Sequence, residues 1–142
     1  MSELTIMSQN VQKHAVRDGR WSKIIKVIRS VGPQILFLQE VDFLTDEDQK
    51  QAAEEALGMK LMVAPSRQLN TAVAWDPSRL DHVDTETMYS TTDMHHGYCA
   101  LQFQPRGLKR EWPAPLVAIS THLTPYSTNV AADEARLLIA RV

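Results

Sequence analysis

The chain has 142 residues, of which 44% are hydrophobic and 23% are charged, and its formal net charge is −2. This composition excludes an intrinsically disordered chain, which would need fewer apolar residues or a larger net charge. The length accommodates one domain with a hydrophobic core. No apolar run approaches the ~20 residues of a membrane span. The weak negative charge excludes a broad phosphate-binding surface, so nucleic acid would bind only through a local basic patch.

The N-terminus and the cysteine content indicate the compartment. Residues 1–10 lack the basic and apolar regions of a secretory signal. Cys99 is the single cysteine, so the chain cannot form an internal disulfide. We therefore expect a cytoplasmic protein.

The first part of the chain predicts a strand, a helix and a second strand. Residues 4–11 are apolar-rich without glycine or proline, and residues 34–41 are a short apolar run. Between them, apolar residues recur at the spacing of an amphipathic helix: Trp21, Ile24, Ile25, Ile28 and Val31. Gly32-Pro33 predicts the end of that helix. This order is typical of a βαβ crossover whose second strand is buried on both faces.

The remainder predicts two more helices and five strands. One helix is expected to begin with Thr45 as its N-cap and to end at Gly58, with acidic residues in its first turn. The strands are predicted over residues 60–65, 70–75, 83–89, 97–104 and 115–123. Residues 128–142 predict a final helix that is capped by Ser127 or Thr128 and has no stop signal.

Three predicted strands end in a polar residue: Asn10, Glu40 and His122. Ligands of open α/β sheets gather outside the carboxyl ends of strands, so these residues are candidates for a site. In a continuous strand, Glu40 would share a face with Leu36 and Leu38, where a carboxylate needs a cation such as a divalent metal. The alternative is that Glu40 lies just past the strand, solvated or paired with an arginine.

The other two candidates also have alternative interpretations. His122 has an imidazole that can act as a base or an acid near neutral pH, or it is a strand-end histidine bonded to the backbone. The amide of Asn10 would orient a phosphate oxygen or a carboxylate, or it caps a turn. Singly, none of the three residues is specific.

Further candidates are weaker. His95 and His96 would point to opposite faces of a strand, so they would not chelate one ion, although His96 would be able to reach the site from a strand start. Cys99 has no basic neighbour and is interpreted as a small core residue. A presumed hairpin loop carries a basic cluster that either contacts phosphate or is a solvated loop: Arg106, Lys109 and Arg110.

Taken in order, three motifs are informative: IMSQNV, then ILFLQEV, then VAISTHLTP. Together they resemble the endonuclease/exonuclease/phosphatase superfamily, which includes pancreatic-type deoxyribonucleases, abasic-site endonucleases, neutral sphingomyelinases and inositol-polyphosphate phosphatases. The match runs from residue 4 to about residue 140, and NTAVAWDPSRL is similar to the family's middle strand. The resemblance implies an α/β (α+β) fold, a β-sandwich with flanking helices, and residues 1–142 as a single, partial domain.

The resemblance also implies a chemistry. Glu40 matches the glutamate that binds the catalytic Mg²⁺ (or Mn²⁺), and Asn10 matches the asparagine that orients this glutamate or a phosphate oxygen. His122 matches the histidine that contacts the phosphate or serves as an acid. The implied reaction is hydrolysis of a phosphodiester or phosphomonoester by in-line attack of water, on DNA, RNA or a small phosphate ester.

The chain departs from the family in its later motifs. It has no Asp-x-Asn, and its one Asp-His pair, Asp81-His82, comes too early and is interpreted as a turn into a strand. The residue that activates water is therefore missing, and Glu40 alone would hold a metal weakly. We expect an isolated chain that is inactive or weakly active. The alternative is a non-catalytic, truncated relic or interaction module that keeps the fold.

The missing half of the fold has a physical consequence. Strands such as ILFL and LVAI are apolar on both faces, and without a second sheet one face would meet water. We therefore expect the chain to self-associate, to pair with a complementing C-terminal half, or to be a fragment of a longer product.

Overall fold

The computed structural model describes residues 3–64, 69–88, 94–107 and 114–140. In these ranges the chain forms seven strands, three α-helices and one short 3₁₀-helix. Their bounds in chain order are β1 Ile6–Asn10, α1 Arg20–Val31, β2 Ile35–Gln39, the 3₁₀-helix Asp42–Thr45, α2 Glu47–Leu57, β3 Lys60–Ala64, β4 Thr71–Trp75, β5 Leu80–Met88, β6 Tyr98–Pro105, β7 Leu116–Thr121 and α3 Thr128–Ile139.

The first four strands form one sheet in the order β1-β2-β4-β3. Strands β1 and β2 are parallel, and α1 connects them, which confirms the predicted βαβ crossover. Strand β4 pairs antiparallel with both β2 and β3. In the β1–β2 register Ile6 lies opposite Ile35 and Asn10 lies opposite Gln39, so the two parallel strands end at the same edge.

Helices α1 and α2 cover one face of this sheet. Ile28 of α1 is 1% exposed and packs in a core with Leu36 and Leu38 of β2. Gly32 ends α1 with a φ of +64°, and its N–H bonds to the carbonyl of Ile28, as the sequence predicts. Val31 lies at the end of the predicted apolar face but is 48% exposed, so the last turn of the helix does not bury this position.

The other face of the sheet is covered by a second, antiparallel sheet in the order β5-β6-β7. Phe103 and Leu101 of β6 pack with Ile35 and Val73 of the first sheet, and all four side chains are fully buried. The apolar face of β2 that was expected to meet water is therefore covered within the chain, because the later strands build a second sheet over it. The outer face of β7 is covered less completely, since Val117 is 37% exposed.

Helix α3 completes an α/β/β/α arrangement. Its residue Leu138 lines a narrow groove with Val117 and Ile119 of β7, on the outer side of the second sheet. The helix is capped by Ser127, whose hydroxyl accepts a hydrogen bond from the amide of Val130. The predicted continuation through residues 141–142 lies outside the described residues, as do Lys109 and Arg110 of the predicted basic cluster.

Several local predictions differ from the structure. The N-cap of α2 is Asp46 rather than Thr45, since the Asp46 carboxylate accepts a bond from the amide of Gln49. Thr45 instead ends the 3₁₀-helix. Asp81-His82 lies inside β5 rather than in a turn. Cys99 is buried, as predicted. Within the described ranges, no helix combines the length and apolarity needed to cross a membrane.

Candidate functional site

The ends of the two parallel strands bring Asn10 and Glu40 together. Asn10 is the last residue of β1, and Glu40 follows directly after β2. The side-chain amide Nδ2 of Asn10 donates a 2.9 Å hydrogen bond to Oε1 of Glu40. The two residues that the sequence predicts at strand ends are therefore in direct contact.

The backbone at Glu40 is unusual. Its φ is +61°, a left-handed conformation that costs a non-glycine residue roughly 1–3 kcal/mol. The extended geometry stops at Gln39, so the prediction that Glu40 shares a face with Leu36 and Leu38 does not hold. The alternative that Glu40 lies just past the strand is what the structure shows, and within the described ranges its carboxylate bonds to Asn10 and to the Lys13 amide rather than to an arginine. The turn aims the carboxylate back across β1.

The segment between β1 and α1 supplies the second contact. The backbone amide of Lys13 donates a 3.1 Å hydrogen bond to Oε2 of Glu40. The amide of Gln12 donates at 2.8 Å to Oδ1 of Asn10, which fixes which way that side-chain amide faces. Both oxygens of Glu40 and both ends of the Asn10 amide are thus held.

Arg20 holds this segment in place. Its guanidinium donates to the carbonyls of Val11 and Lys13, at 3.2 and 3.0 Å, and forms an ion pair with Asp18. The sequence analysis did not identify Arg20 as part of the site. A cation as the first residue of a helix opposes the helix dipole, and that conflict is the signal that would have identified it.

The environment of Glu40 has opposing effects on its pKa. Partial burial is the largest single influence and raises the pKa, but the hydrogen bonds from Asn10 and the Lys13 amide, together with the charges of His122 and Lys13, lower it by more. The net effect lowers the pKa of Glu40 below its usual value of 4.5. The carboxylate is therefore ionised at neutral pH.

His122 reaches the same edge from the second sheet. It follows directly after β7, whose Ser120 joins the sheets near their ends. The Ser120 hydroxyl donates to the carbonyl of Leu38 at 3.0 Å and accepts from Nε2 of Gln39 at 3.4 Å. This contact aligns the end of β7 with the end of β2, and the charge of His122 consequently acts on Glu40. Nδ1 of His122 is buried, with no hydrogen-bond partner among the described residues.

His96 lies against His122. The two imidazole rings are stacked, with centroids 5.0 Å apart and an interplanar angle of 19°. His96 is 4% exposed, whereas its neighbour His95 is exposed at the surface. The pair precedes β6 rather than lying within it, so strand alternation does not separate the rings, which are 4.2 Å apart. The sequence named His96 only as a minor candidate.

A buried carboxylate joins the two histidine segments. Glu134 of α3 is 1% exposed. Its Oε1 accepts a 2.6 Å hydrogen bond from the amide of His95, and its Oε2 accepts a 2.8 Å bond from the amide of Thr124. The sequence analysis did not identify Glu134. The sequence signal that would have identified it is its spacing: Glu134 lies four residues before Leu138, on the inward-facing side of an amphipathic helix.

Solved structures resemble this arrangement. ANGEL2, described as a 2',3'-cyclic phosphatase, superposes with a TM-score of 0.77 at 17% identity, over 98% of this chain and 46% of that chain. An endonuclease/exonuclease/phosphatase family protein from Bacteroides thetaiotaomicron has a TM-score of 0.75 at 14% identity, over 97% of this chain and 55% of that chain. This chain has the endonuclease/exonuclease/phosphatase fold.

A third structure with a similar fold is that of D. rerio TDP2 complexed with a single-stranded DNA product. Its TM-score is 0.75 at 18% identity, over 99% of this chain and 55% of that chain. The chain thus spans about half the length of each of these proteins, which agrees with the predicted partial domain. No family model matches the sequence, and no curated protein matches it significantly.

The endonuclease/exonuclease/phosphatase fold implies a divalent cation, and the donor set can be tested against it. Among the described residues, no three histidine, cysteine or acidic side chains lie close enough to hold a metal ion together. Glu40 offers one ionised carboxylate, and each of its oxygens accepts one hydrogen bond and keeps about one further lone pair. Mg²⁺ is commonly held by one or two carboxylates, water and substrate phosphate. The residues fit a single-carboxylate Mg²⁺ site.

Two grooves of the described surface lie away from these residues. One of about 530 Å³ runs along α2, and another of about 500 Å³ lies between His14 and Phe43. Neither is lined by Asn10, Glu40 or His122.

Proposed function

We propose that this chain carries part of the active site of a Mg²⁺-dependent phosphoesterase, which hydrolyses a phosphodiester or phosphomonoester. The observation that carries the proposal is the bond between Asn10 and Glu40, at the edge where His122 also arrives. An ionised carboxylate held by two donors and faced by an imidazole is suited to phosphate chemistry, which depends on positioning and charge neutralisation. The fold shared with ANGEL2, a 2',3'-cyclic phosphatase, supports this choice.

Each residue has a distinct role in the proposal. Glu40 would bind the Mg²⁺, which when bound neutralises charge on the phosphate. Asn10 orients Glu40 and keeps its carboxylate deprotonated. His122 contacts the phosphate oxygens or protonates the leaving oxygen.

The proposal includes an incomplete site. The sequence lacks the Asp-x-Asn and terminal Asp-His motifs that the family resemblance leads us to expect. We propose that the isolated chain is inactive or weakly active and that a complementing segment, or a second copy of this chain, supplies the missing groups. The substrate class under this proposal is DNA, RNA or a small phosphate ester.

Mg²⁺ titration of the purified chain tests the proposal. We expect Mg²⁺ to shift the NMR signals of residues near Glu40, and Glu40→Gln to abolish the shifts. The matched control is Glu55→Gln, since Glu55 lies on the exposed face of α2, where its carboxylate accepts a hydrogen bond from Gln51. This control should bind Mg²⁺ as the wild type does.

Two results would contradict the proposal. If Mg²⁺ causes no shifts in the wild type, the chain fits the alternative of a non-catalytic module that keeps the fold. If the lone chain hydrolyses bis(p-nitrophenyl) phosphate at a rate typical of enzymes, the site is complete and the missing motifs are not needed.

A further inference from the structure

Four aromatic rings form a row that leads away from the candidate site. His122 stacks on His96, His96 meets His95 edge to face at 4.2 Å, and His95 meets Tyr126 edge to face at 5.4 Å. The inner end of the row acts electrostatically on Glu40. The outer end, Tyr126, is 82% exposed. The row therefore connects the charged edge to an open aromatic surface.

Hydrogen bonds fix the backbone segments that carry the two outer rings, His95 and Tyr126. The amide of His95 bonds to one oxygen of Glu134, and the amide of Thr124 bonds to the other. The amide of Tyr126 donates to the Thr124 hydroxyl at 3.5 Å. A single exposed aromatic residue is common on protein surfaces. An exposed ring whose neighbours are tied to a buried carboxylate is preorganised, and preorganisation lowers the entropic cost of binding.

We propose that His95 and Tyr126 form a stacking platform for the base of a nucleotide whose phosphate lies at Asn10, Glu40 and His122. This inference rests on the proposed function and selects among its phosphate esters. A nucleobase has a planar π-face that stacks on exposed aromatic side chains without needing directed hydrogen bonds. A sugar phosphate lacks that face and would gain little from the platform.

Paired ligands separate the base from the phosphate. With Mg²⁺ present, AMP, ribose 5-phosphate, glucose 6-phosphate and adenosine are titrated separately, and NMR shifts report the dissociation constants. We expect AMP to bind about tenfold more tightly than either sugar phosphate, in line with the stacking energies of bases on aromatic residues. The ring signals of Tyr126 and His95 should shift with AMP and adenosine only.

Variants of Tyr126 locate the effect. Tyr126→Ala should weaken AMP binding about tenfold and leave ribose 5-phosphate unchanged, whereas Tyr126→Phe should keep the wild-type preference. The control is Val27→Ala, an exposed position on α1 (53%, against 82% for Tyr126) that should change the binding of neither ligand. Tyr126 is largely exposed, so these variants should fold normally.

The outcomes distinguish a failure of the stacking platform from a failure of the proposed phosphoesterase function. Equal binding of AMP and ribose 5-phosphate would overturn the platform and leave the phosphoesterase proposal standing. Tighter binding of glucose 6-phosphate than of AMP, or no loss with Tyr126→Ala, would also overturn it. Tyr126-dependent adenosine binding that neither a 5'-phosphate nor Mg²⁺ strengthens would support the platform and contradict the proposed function.

Discussion

Asn10 and Glu40 are thirty residues apart in the chain, yet the amide of one donates directly to the carboxylate of the other. The contact follows from parallel pairing, since β1 and β2 end side by side after α1 has crossed the sheet. It fixes the orientation of an ionised group at the edge where ligands of such sheets bind. The role that we propose for Glu40 therefore depends on the integrity of this bond.

Replacing Asn10 tests that dependence. Asn10→Ala removes one of the two donors to Glu40, so the pKa of Glu40 should rise and Mg²⁺ affinity should fall about 10- to 100-fold. The pKa is measured by NMR titration of the Glu40 side-chain carboxyl carbon, and the affinity by calorimetry. Asn129→Ala, in the exposed first turn of α3, is the control. An unchanged pKa in Asn10→Ala would mean that the Lys13 amide alone accounts for the lowering.

The lowered pKa of Glu40 also predicts a pH dependence of stability. The ionised form is favoured in the folded state, so its contribution is fully present above the unfolded-state pKa, near 4.5, and is lost as pH falls through the folded-state value. The difference in unfolding free energy between wild type and Glu40→Gln should shrink between pH 7 and pH 3. Urea denaturation across this range measures it, and a constant difference would contradict the assigned cause.

Removing Glu134 should affect both stability and local order. Glu134→Ala leaves the amides of His95 and Thr124 without their acceptor, and an unsatisfied buried donor costs about 1–3 kcal/mol. We expect a loss of about 2–4 kcal/mol of unfolding free energy and faster hydrogen exchange at these two amides. The exposed Asp133, which forms a surface ion pair with Arg136, provides the control, and Asp133→Ala should cost less than about 0.5 kcal/mol. Unchanged exchange at His95 and Thr124 would show that other contacts hold the segments.

Cys99 should be inert while the protein is folded. Burial raises the pKa of its thiol to about 12, so almost no reactive thiolate exists at pH 8. A thiol reagent such as 5,5'-dithiobis(2-nitrobenzoic acid) should react only as fast as the chain opens, and should react at once in urea. Fast reaction in buffer alone would show that β6 opens locally, because Cys99 lies inside that strand.

Several elements were predictable because their signals are local. The apolar spacing around Ile28, the ending at Gly32 and the short apolar run of β2 all depend on residues within a few positions of one another. The predicted βαβ crossover also implied that Asn10 and Glu40 lie close together, because parallel strands joined by a helix end at the same edge of the sheet. His122 was named as a candidate because it ends a predicted strand, but its arrival at the same edge depends on how the second, antiparallel sheet packs on the first.

Other features depended on contacts that no short segment encodes. The left-handed turn at Glu40 persists because two donors from the β1–α1 segment hold its carboxylate. The second sheet covers β2 because β5, β6 and β7 pair with one another, which apolar patterns alone did not distinguish from an incomplete first sheet.

The sequence by itself determined the order and type of the elements and the strand ends that carry polar residues. Only the tertiary structure decided that Glu134 ties His95 to Thr124 and that His96 stacks on His122. The physical reason is the distance along the chain over which each kind of interaction acts. Backbone sterics and hydrophobic periodicity act over a few residues, whereas a buried carboxylate finds its donors only when distant segments have packed around it.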